Sequence, residues 1–322
     1  MSTKTTNNNV NNNGEGNKKS GEIKKKLYQD APKYLVPPDD EELIKKIAEC
    51  RKLLEEDFKV NASHYWDKDM EKVMKCDFEV RRFLFQTNLD VKSATEMIKE
   101  RLAWRKEMGI EGARPERFPI EFYESGSIFE FKTDRDGDPV LYVRSKFNIK
   151  SEVLATPIRQ FLLYNMDLMD QRFSCERCWG LVFDAQGFGW SNIDFDFLHL
   201  IIKVFRHYMP WTVKYIVVYE IPWVLESVWR GVQHFIPEDG KRILRVYNKK
   251  TITEVIAPEN LPALLGGMNK EEYIHVPEGC KPADEVGKIE LGLSSEEVNK
   301  IRKHLEKIIS GDKEIRRLIV SG

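Results

Sequence analysis

The feature that most constrains this 322-residue chain is an alternation in its second half. Short apolar runs, "GLVF" at 180–183 and "YIVVY" at 215–219, are separated by longer segments whose apolar residues recur with helical spacing. Successive side chains of a strand point to opposite sides, so a run apolar at every position must be covered on both faces. Strands of this kind, alternating with helices, specify βαβ units around a mostly parallel sheet. The series runs from the helix "TPIRQFLLYNMDLMDQRF", with Thr156 as cap and Pro157 in the first turn, to the strand "CWGLVFD" and the helix "NIDFDFLHLIIKVFRHYM". It continues with the strand "VKYIVVYE", the helix "PWVLESVWRGVQHFI", the strand "KRILRVY" and a short helical "TITEVI".

The flanking segments follow other rules. "SIFEF" and "PVLYV" flank the turn signal Asp136-Gly137 and read as two extended segments. Before them, 39–110 reads as a helical lobe. Leu43, Ile47, Leu54 and Phe58 share one helical face, "DFEVRRFLFQ" gives a short helix, and "VKSATEMIKERLAWRKEM" is capped by Asp90 and ended by Gly109. The sheet lobe is placed at 118–276. "HVPEGCKPADEVGKIELG" reads as a linker-like loop, and a last helix opens with a capping box from Ser294 to Glu297, so 277–322 is linker and C-terminal helix. Val298, Ile301, Leu305 and Ile308 make that helix's apolar stripe. Residues 1–26 are rich in Asn, Gly and Lys and are expected to be a disordered polar tail.

Charge and motifs exclude several functions. Lysine and arginine (51) balance aspartate and glutamate (52), so no basic field points to nucleic acid. The N-terminus has no apolar core for a signal peptide, and five cysteines, an odd number, point to a reducing, cytoplasmic setting. Residues 215–236 have the length of a membrane span, but Glu220, Pro222, Glu226 and Arg230 interrupt them. No nucleophile elbow and no P-loop occur. "GFGW" at 187–190 lacks the third glycine of a dinucleotide loop, since that position holds Asn192. Cys175 and Cys178 have the spacing of a zinc or redox pair but lack a second pair to complete four ligands. His199 and His207 read as core-edge histidines, and Asp194 and Asp196 as helix-start acids. Neither enzyme activity, cofactor nor metal is expected.

The helix after "YIVVY" carries more oil than a sheet cover needs. Leu225, Val228, Trp229, Val232, Phe235 and Ile236 make one face, and Trp223 and Val224 widen it beyond the roughly 100° stripe of an ordinary surface helix. Such a helix suits the wall of an apolar cavity and contact with a membrane surface.

From about Asp77 to Met268 the chain resembles the CRAL-TRIO (Sec14-like) lipid-binding family. The resemblance is carried by "RRFLFQTNLDVKSATEMIKERLAWRKEMG", "DRDGDPVLYV", "YMPWTVKYIVVYEIPWVLESVW" and "IAPENLPALLGG". Two segments, "SNIDFDFLHLIIKVFRHYMP" and "EIPWVLESVW", look closest to a member that joins this domain to an MSP domain and a membrane anchor. The resemblance implies an α/β lobe with an apolar lipid pocket closed by a gate helix, here about Trp223 to Ile236. It also implies peripheral association with membranes and a phospholipid or other hydrophobic ligand as partner. Members that handle phosphatidylinositol carry three charged residues at places held here by Thr87, Trp211 and Arg242; only Arg242 keeps the charge and could bind a phosphate, so with two departures of three inositol recognition is not expected. Candidate pocket residues are Phe161, Tyr164, Phe183, Phe205 and Tyr219. Candidate gate residues are Trp223, Leu225, Val228, Trp229, Val232 and Phe235. Lys241, Arg242 and Arg245 are candidates for headgroup or membrane contact. The leading function is non-enzymatic lipid binding and transfer, or sensing. The alternative is an interaction or membrane-recruitment scaffold that uses the same fold without lipid exchange.

Overall fold

A computed structural model describes residues 41–110, 114–148, 152–173 and 178–321. The expected tail at 1–26 and Cys175 lie outside the described residues. The helical lobe contains α1 (Glu41–Asn61), α2 (Asp67–Lys75), α3 (Asp77–Gln86) and α4 (Val91–Glu107). Asp90 caps α4 as its carboxylate accepts the Ser93 N–H at 2.7 Å, and Gly109 follows the helix at φ +61°, which glycine adopts without strain. Leu43, Ile47, Leu54, Val80, Phe83, Ile98 and Leu102 bury the facing stripes in one core.

The sheet lobe begins with a short helix, α5 (Ile120–Glu124), and the hairpin β1 (Ile128–Thr133) and β2 (Pro139–Arg144). Then come α6 (Glu152–Phe173), β3 (Trp179–Asp184), α7 (Phe195–Lys203) and β4 (Val213–Tyr219). A 3-10 turn at Trp223–Leu225 leads into α8 (Glu226–Gln233), followed by α9 (Glu238–Ile243) and β5 (Leu244–Tyr247). The five strands lie in sequence order, β1 antiparallel to β2 and the rest parallel. This is the α/β architecture that the alternation specifies.

Period-two alternation divides the sheet's side chains between two cores. Leu141, Val143, Leu181 and Ile216 face one way, toward α6 and α7. Val140, Tyr142, Val182, Tyr215, Val217 and Tyr219 face the other way. There the cover is not a long helix but the chain after β5, through Ile252, Ile256, Leu261, Leu265 and Tyr273. Two glycines permit close approaches: a Cβ on Gly180 would stand 2.4 Å from the Tyr215 ring, and one on Gly267 would stand 2.0 Å from the Leu261 carbonyl oxygen.

The structure departs from the sequence reading in three local places. α6 starts at Glu152, so Thr156 is not its cap and Pro157 lies inside it, in the second turn, where the ring removes one intrahelical hydrogen bond. Lys241 and Arg242 belong to α9 rather than a strand, because Pro237 begins a helical turn that runs into the expected "KRILRVY". The expected linker contains α10 (Ala283–Glu290), which packs on the final helix α11 (Ser295–Ser321). Ser294 and Glu297 form the expected reciprocal cap of α11, with N–H bonds of 2.7 and 3.2 Å. Among the described residues no helix is long and apolar enough to cross a membrane.

The two lobes meet through buried charge. From α3 and α4, Arg82 and Arg101 both reach Asp170 of α6, at 2.9 and 3.1 Å, and Arg105 pairs with Asp167 of α6 and Asp69 of α2. Trp104 of α4 also stacks on Tyr208, with centroids 4.0 Å apart.

Candidate ligand cavity

One face of the sheet is not fully covered. Val143, Phe183 and Val218, at the C-terminal ends of three strands, floor a cavity of about 250 Å³. The ends of parallel strands are where open α/β sheets commonly bind ligands. Ile158, Phe161 and Leu162 of α6 form one wall, and Phe197, Leu198 and Ile201 of α7 another. Leu225, Val228, Trp229 and Val232 close it from the segment after β4. The volume lies just below the ~300–1,000 Å³ usual for small-molecule sites.

α8 is thinly seated. None of its eight residues is buried, although the preceding Leu225 is only 3% exposed and anchors the turn. Val228, Trp229 and Val232 turn inward and are half-buried, whereas Trp223 (84% exposed) and Phe235 (60%) stand in solvent. The expected gate residues thus divide: four line the cavity and two are on the outside. Trp190 and Phe195 add exposed aromatic surface before and at the start of α7, and Phe235 lies edge-on to His199 of that helix. Asp194 caps α7 by accepting the Phe197 N–H at 3.0 Å and pairs with Arg159 at 3.2 Å, so it serves the helix start as expected.

Of the expected pocket residues, Phe161 and Phe183 line the cavity and three do not. Tyr219 is excluded by strand alternation: Val218 faces the cavity, so Tyr219 faces the opposite core, where its hydroxyl donates to the Leu265 carbonyl. Tyr164, one turn beyond Phe161, lies against the Phe118 ring, 5.1 Å between centroids. Phe205 packs 6.4 Å from the Trp179 ring and does not line the cavity.

The sequence reading missed a polar edge and a distant wall. Ser125, Ser127, Arg144, Ser145 and Asn148 all reach the cavity surface. The Ser125 hydroxyl bonds that of Ser127 at 2.9 Å, and the Arg144 N–H donates to the Ser127 carbonyl at 2.8 Å, which brings these groups together. The Arg144 guanidinium lies over the Phe147 ring, 4.6 Å from its centroid, and faces Asp184 at 4.0 Å. Burial pushes the Asp184 carboxyl above its ordinary value, and Arg144 only partly opposes this. Asn192 is occupied, donating to the Lys146 and Asn148 carbonyls and accepting from the Gly189 N–H. "GFGW" is therefore an ordinary turn pinned by an asparagine. Arg144 carried no motif signal; its place after the apolar "PVLYV" is the one available hint. Leu305 and Ile308 of α11 also line the cavity.

The basic candidates lie elsewhere. Lys241 pairs with Glu238 at 2.6 Å, and Arg245 donates to the Arg242 carbonyl at 2.6 Å. Arg242 lies over the Trp211 ring at 4.5 Å, and that ring is 6.0 Å from Phe85 of α3. Thr87, just after α3, donates its hydroxyl to the Phe83 carbonyl at 2.9 Å. None of Thr87, Trp211 or Arg242 lines the cavity.

Metal-like spacing occurs once among the described residues, at Asp134, Asp136 and Asp138 in the β1–β2 turn. The Lys214 ammonium sits among all three, at 3.0, 2.6 and 2.7 Å. Burial would lower the Lys214 pKa, but bonds to the three carboxylates raise it. A cation is thus already supplied from β4. Cys50, Cys178 and Cys280 are free thiols.

The chain is similar to known proteins. Residues 123–267 match the family model of the CRAL/TRIO domain. A CRAL-TRIO domain-containing protein of Schizosaccharomyces pombe is 24% identical over 232 residues, covering 67% of this chain and 50% of that protein. Phosphatidylinositol transfer protein CSR1 of Eremothecium gossypii is 23% identical over 300 residues, covering 86% of this chain and 66% of that protein. The chain therefore spans about half to two thirds of the length of these relatives. The crystal structure of Sfh5 superposes with a TM-score of 0.57 at 17% identity, over 80% of this chain and 98% of that one, which shows the shared fold.

Proposed function

We propose, from the premise that residues 123–267 of this chain are a CRAL/TRIO domain, that the protein binds and transfers a phospholipid or similar amphiphile without covalent chemistry. The observation that carries this reading is the apolar cavity beneath a helix with no buried residue of its own. A lipid in transit must hide its acyl chains from water, at about 0.8 kcal/mol per methylene. A thinly seated α8 can exchange cavity contacts for bilayer contacts, so release does not require exposing the chains. Trp223 and Phe235, already outside, would enter the headgroup boundary first, as interfacial aromatics do. The polar end of the ligand would face Ser127 and Arg144, the wall where hydrogen-bonding groups gather.

The name of CSR1 supports a phosphatidylinositol ligand, while Thr87 and Trp211 argue against the charged headgroup contacts that the resemblance associates with it. We therefore assign phospholipid as the class and leave the inositol headgroup out. A cavity of about 250 Å³ also suits the scaffold reading, in which the fold recruits partners without exchanging lipid.

Native mass spectrometry of the purified chain, followed by solvent extraction, separates the two. A stoichiometric lipid is expected. A bare mass that stays unchanged after incubation with mixed phosphatidylcholine and phosphatidylinositol vesicles would overturn lipid binding and leave the scaffold.

A further inference from the structure

α11 lies outside residues 123–267, yet it closes part of the cavity. Ile301, Leu305 and Ile309 belong to the same core as Phe161 and Leu181, and Ile301 is fully buried. Leu305 and Ile308 go further and reach the cavity wall, alongside Phe122, Phe161 and Leu162. The apolar stripe of α11 is thus used twice, for seating the helix and for shaping the cavity.

The seating is uneven. Toward its N-terminal end α11 is held by α10, where Val298 packs so closely that a Cβ on Gly287 would come within 2.8 Å of it, and Arg302 pairs with Asp284 at 2.7 Å. Further along, a groove separates α11 from α5, lined by Ile120, Glu121, Glu124, Glu306, Ile309 and Ser310. Of the three carboxylates in that seam, Glu121 is engaged, accepting the Ala283 N–H at 3.0 Å. α11 thus meets the apolar cavity with one edge and a polar groove with the next.

We infer that α11 is a second cover of the cavity and that Leu305 and Ile308 set the acyl-chain length the site accepts. The inference rests on the lipid-binding reading above. Each methylene moved from water into an apolar wall strengthens binding by roughly fourfold, so the wall's depth selects among chain lengths. In a cavity this small, the volume of one side chain changes how many methylenes fit. The gate decides when the ligand passes; α11 decides how long it can be.

The test uses the full chain and vesicles of phosphatidylcholine and phosphatidylinositol with graded acyl lengths. Bound lipid is extracted, and its amount and chain-length distribution are measured by mass spectrometry. Ile308 is the chosen position because it is partly buried and so tolerates change better than Leu305. Ile308→Ala should shift the bound lipid toward longer chains. Ile308→Trp should shift it toward shorter ones or lower occupancy several-fold. Val228→Trp, on α8, should lower occupancy in parallel. Unchanged distributions in both Ile308 variants, with occupancy still lowered by Val228→Trp, would overturn the role of α11 and leave the cavity reading standing. No bound lipid in the unaltered chain, or no response to Val228→Trp either, would overturn both. If Ile308→Trp melts far below the unaltered chain, Ile308→Ala decides alone: a shift toward longer chains supports the inference and none overturns it.

Discussion

At the scale of residues, Arg82, Arg101, Arg105 and Lys72 share a buried site with Glu79, Asp170, Asp167 and Asp69. Burial alone would raise the Glu79 pKa, but Arg82, Arg101 and Lys72 outweigh it and hold the carboxyl well below its ordinary value. Asp170 is likewise held low, with Arg82 the largest opposing influence on its burial. Assembling such a network gives little net stability, because desolvation offsets the attraction, yet removing one member strands the rest. Asp170→Ala should therefore cost about 3–5 kcal/mol in denaturant unfolding. The pH dependence has a definite sign. Both folded pKa values lie below the unfolded ones, so their stabilisation is complete above the ordinary carboxylate range and is lost as pH falls through the folded values. The melting temperature should drop in acid, and the deficit of Asp170→Asn against the unaltered chain should shrink as pH falls. A constant deficit down to strongly acidic pH would contradict the depressed pKa of Asp170.

Among elements, α8 carries the sharpest expectation. Trp229 lines the cavity yet is only half-buried, so it contributes less to the folded core than a residue such as Leu102. Trp229→Asp should weaken lipid transfer between vesicles while the melting temperature moves by only a few degrees. Full unfolding of this variant would instead make Trp229 ordinary core. Trp223 is almost wholly exposed, so Trp223→Asp should change stability by no more than about 0.5 kcal/mol. Its effect should appear in vesicle co-sedimentation, as reduced binding. Element types were legible where the pattern was strong: continuous apolar runs gave β3 and β4, and Asp90, Asp194 and Ser294 marked helix starts that the structure uses. The short α2 and α5 carry too few turns for a periodic signal. α10 was hidden by the prolines and glycines around it.

For the whole molecule, the balance of charge matters most. A net charge of −1 gives no general attraction to anionic membranes, so any electrostatic contribution must come from a local patch. The run at Lys241, Arg242 and Arg245 is the expected one, and Arg242 is held over the Trp211 ring. Arg242→Glu should reduce binding to anionic vesicles at low ionic strength and matter little at about 1 M salt, where the Debye length falls to about 3 Å. Equal binding by both chains at low salt would remove the patch from the mechanism.

By itself the sequence determined what local periodicity and chain order determine. Two-sided apolar runs require a covered parallel sheet, and helical stripes require a packed lobe. Which side chains meet in the cavity was decided only in three dimensions. Tyr219 and Val218 are neighbours in sequence and stand on opposite faces of the sheet, and nothing in "YIVVYE" says which face holds the void. Arg144 becomes part of the cavity because β2 ends there, and Ile308 because a helix far along the chain folds back over the same strands. Periodicity is a property of neighbours a few residues apart, whereas a cavity is a property of surfaces that long chain segments bring together and then fail to fill.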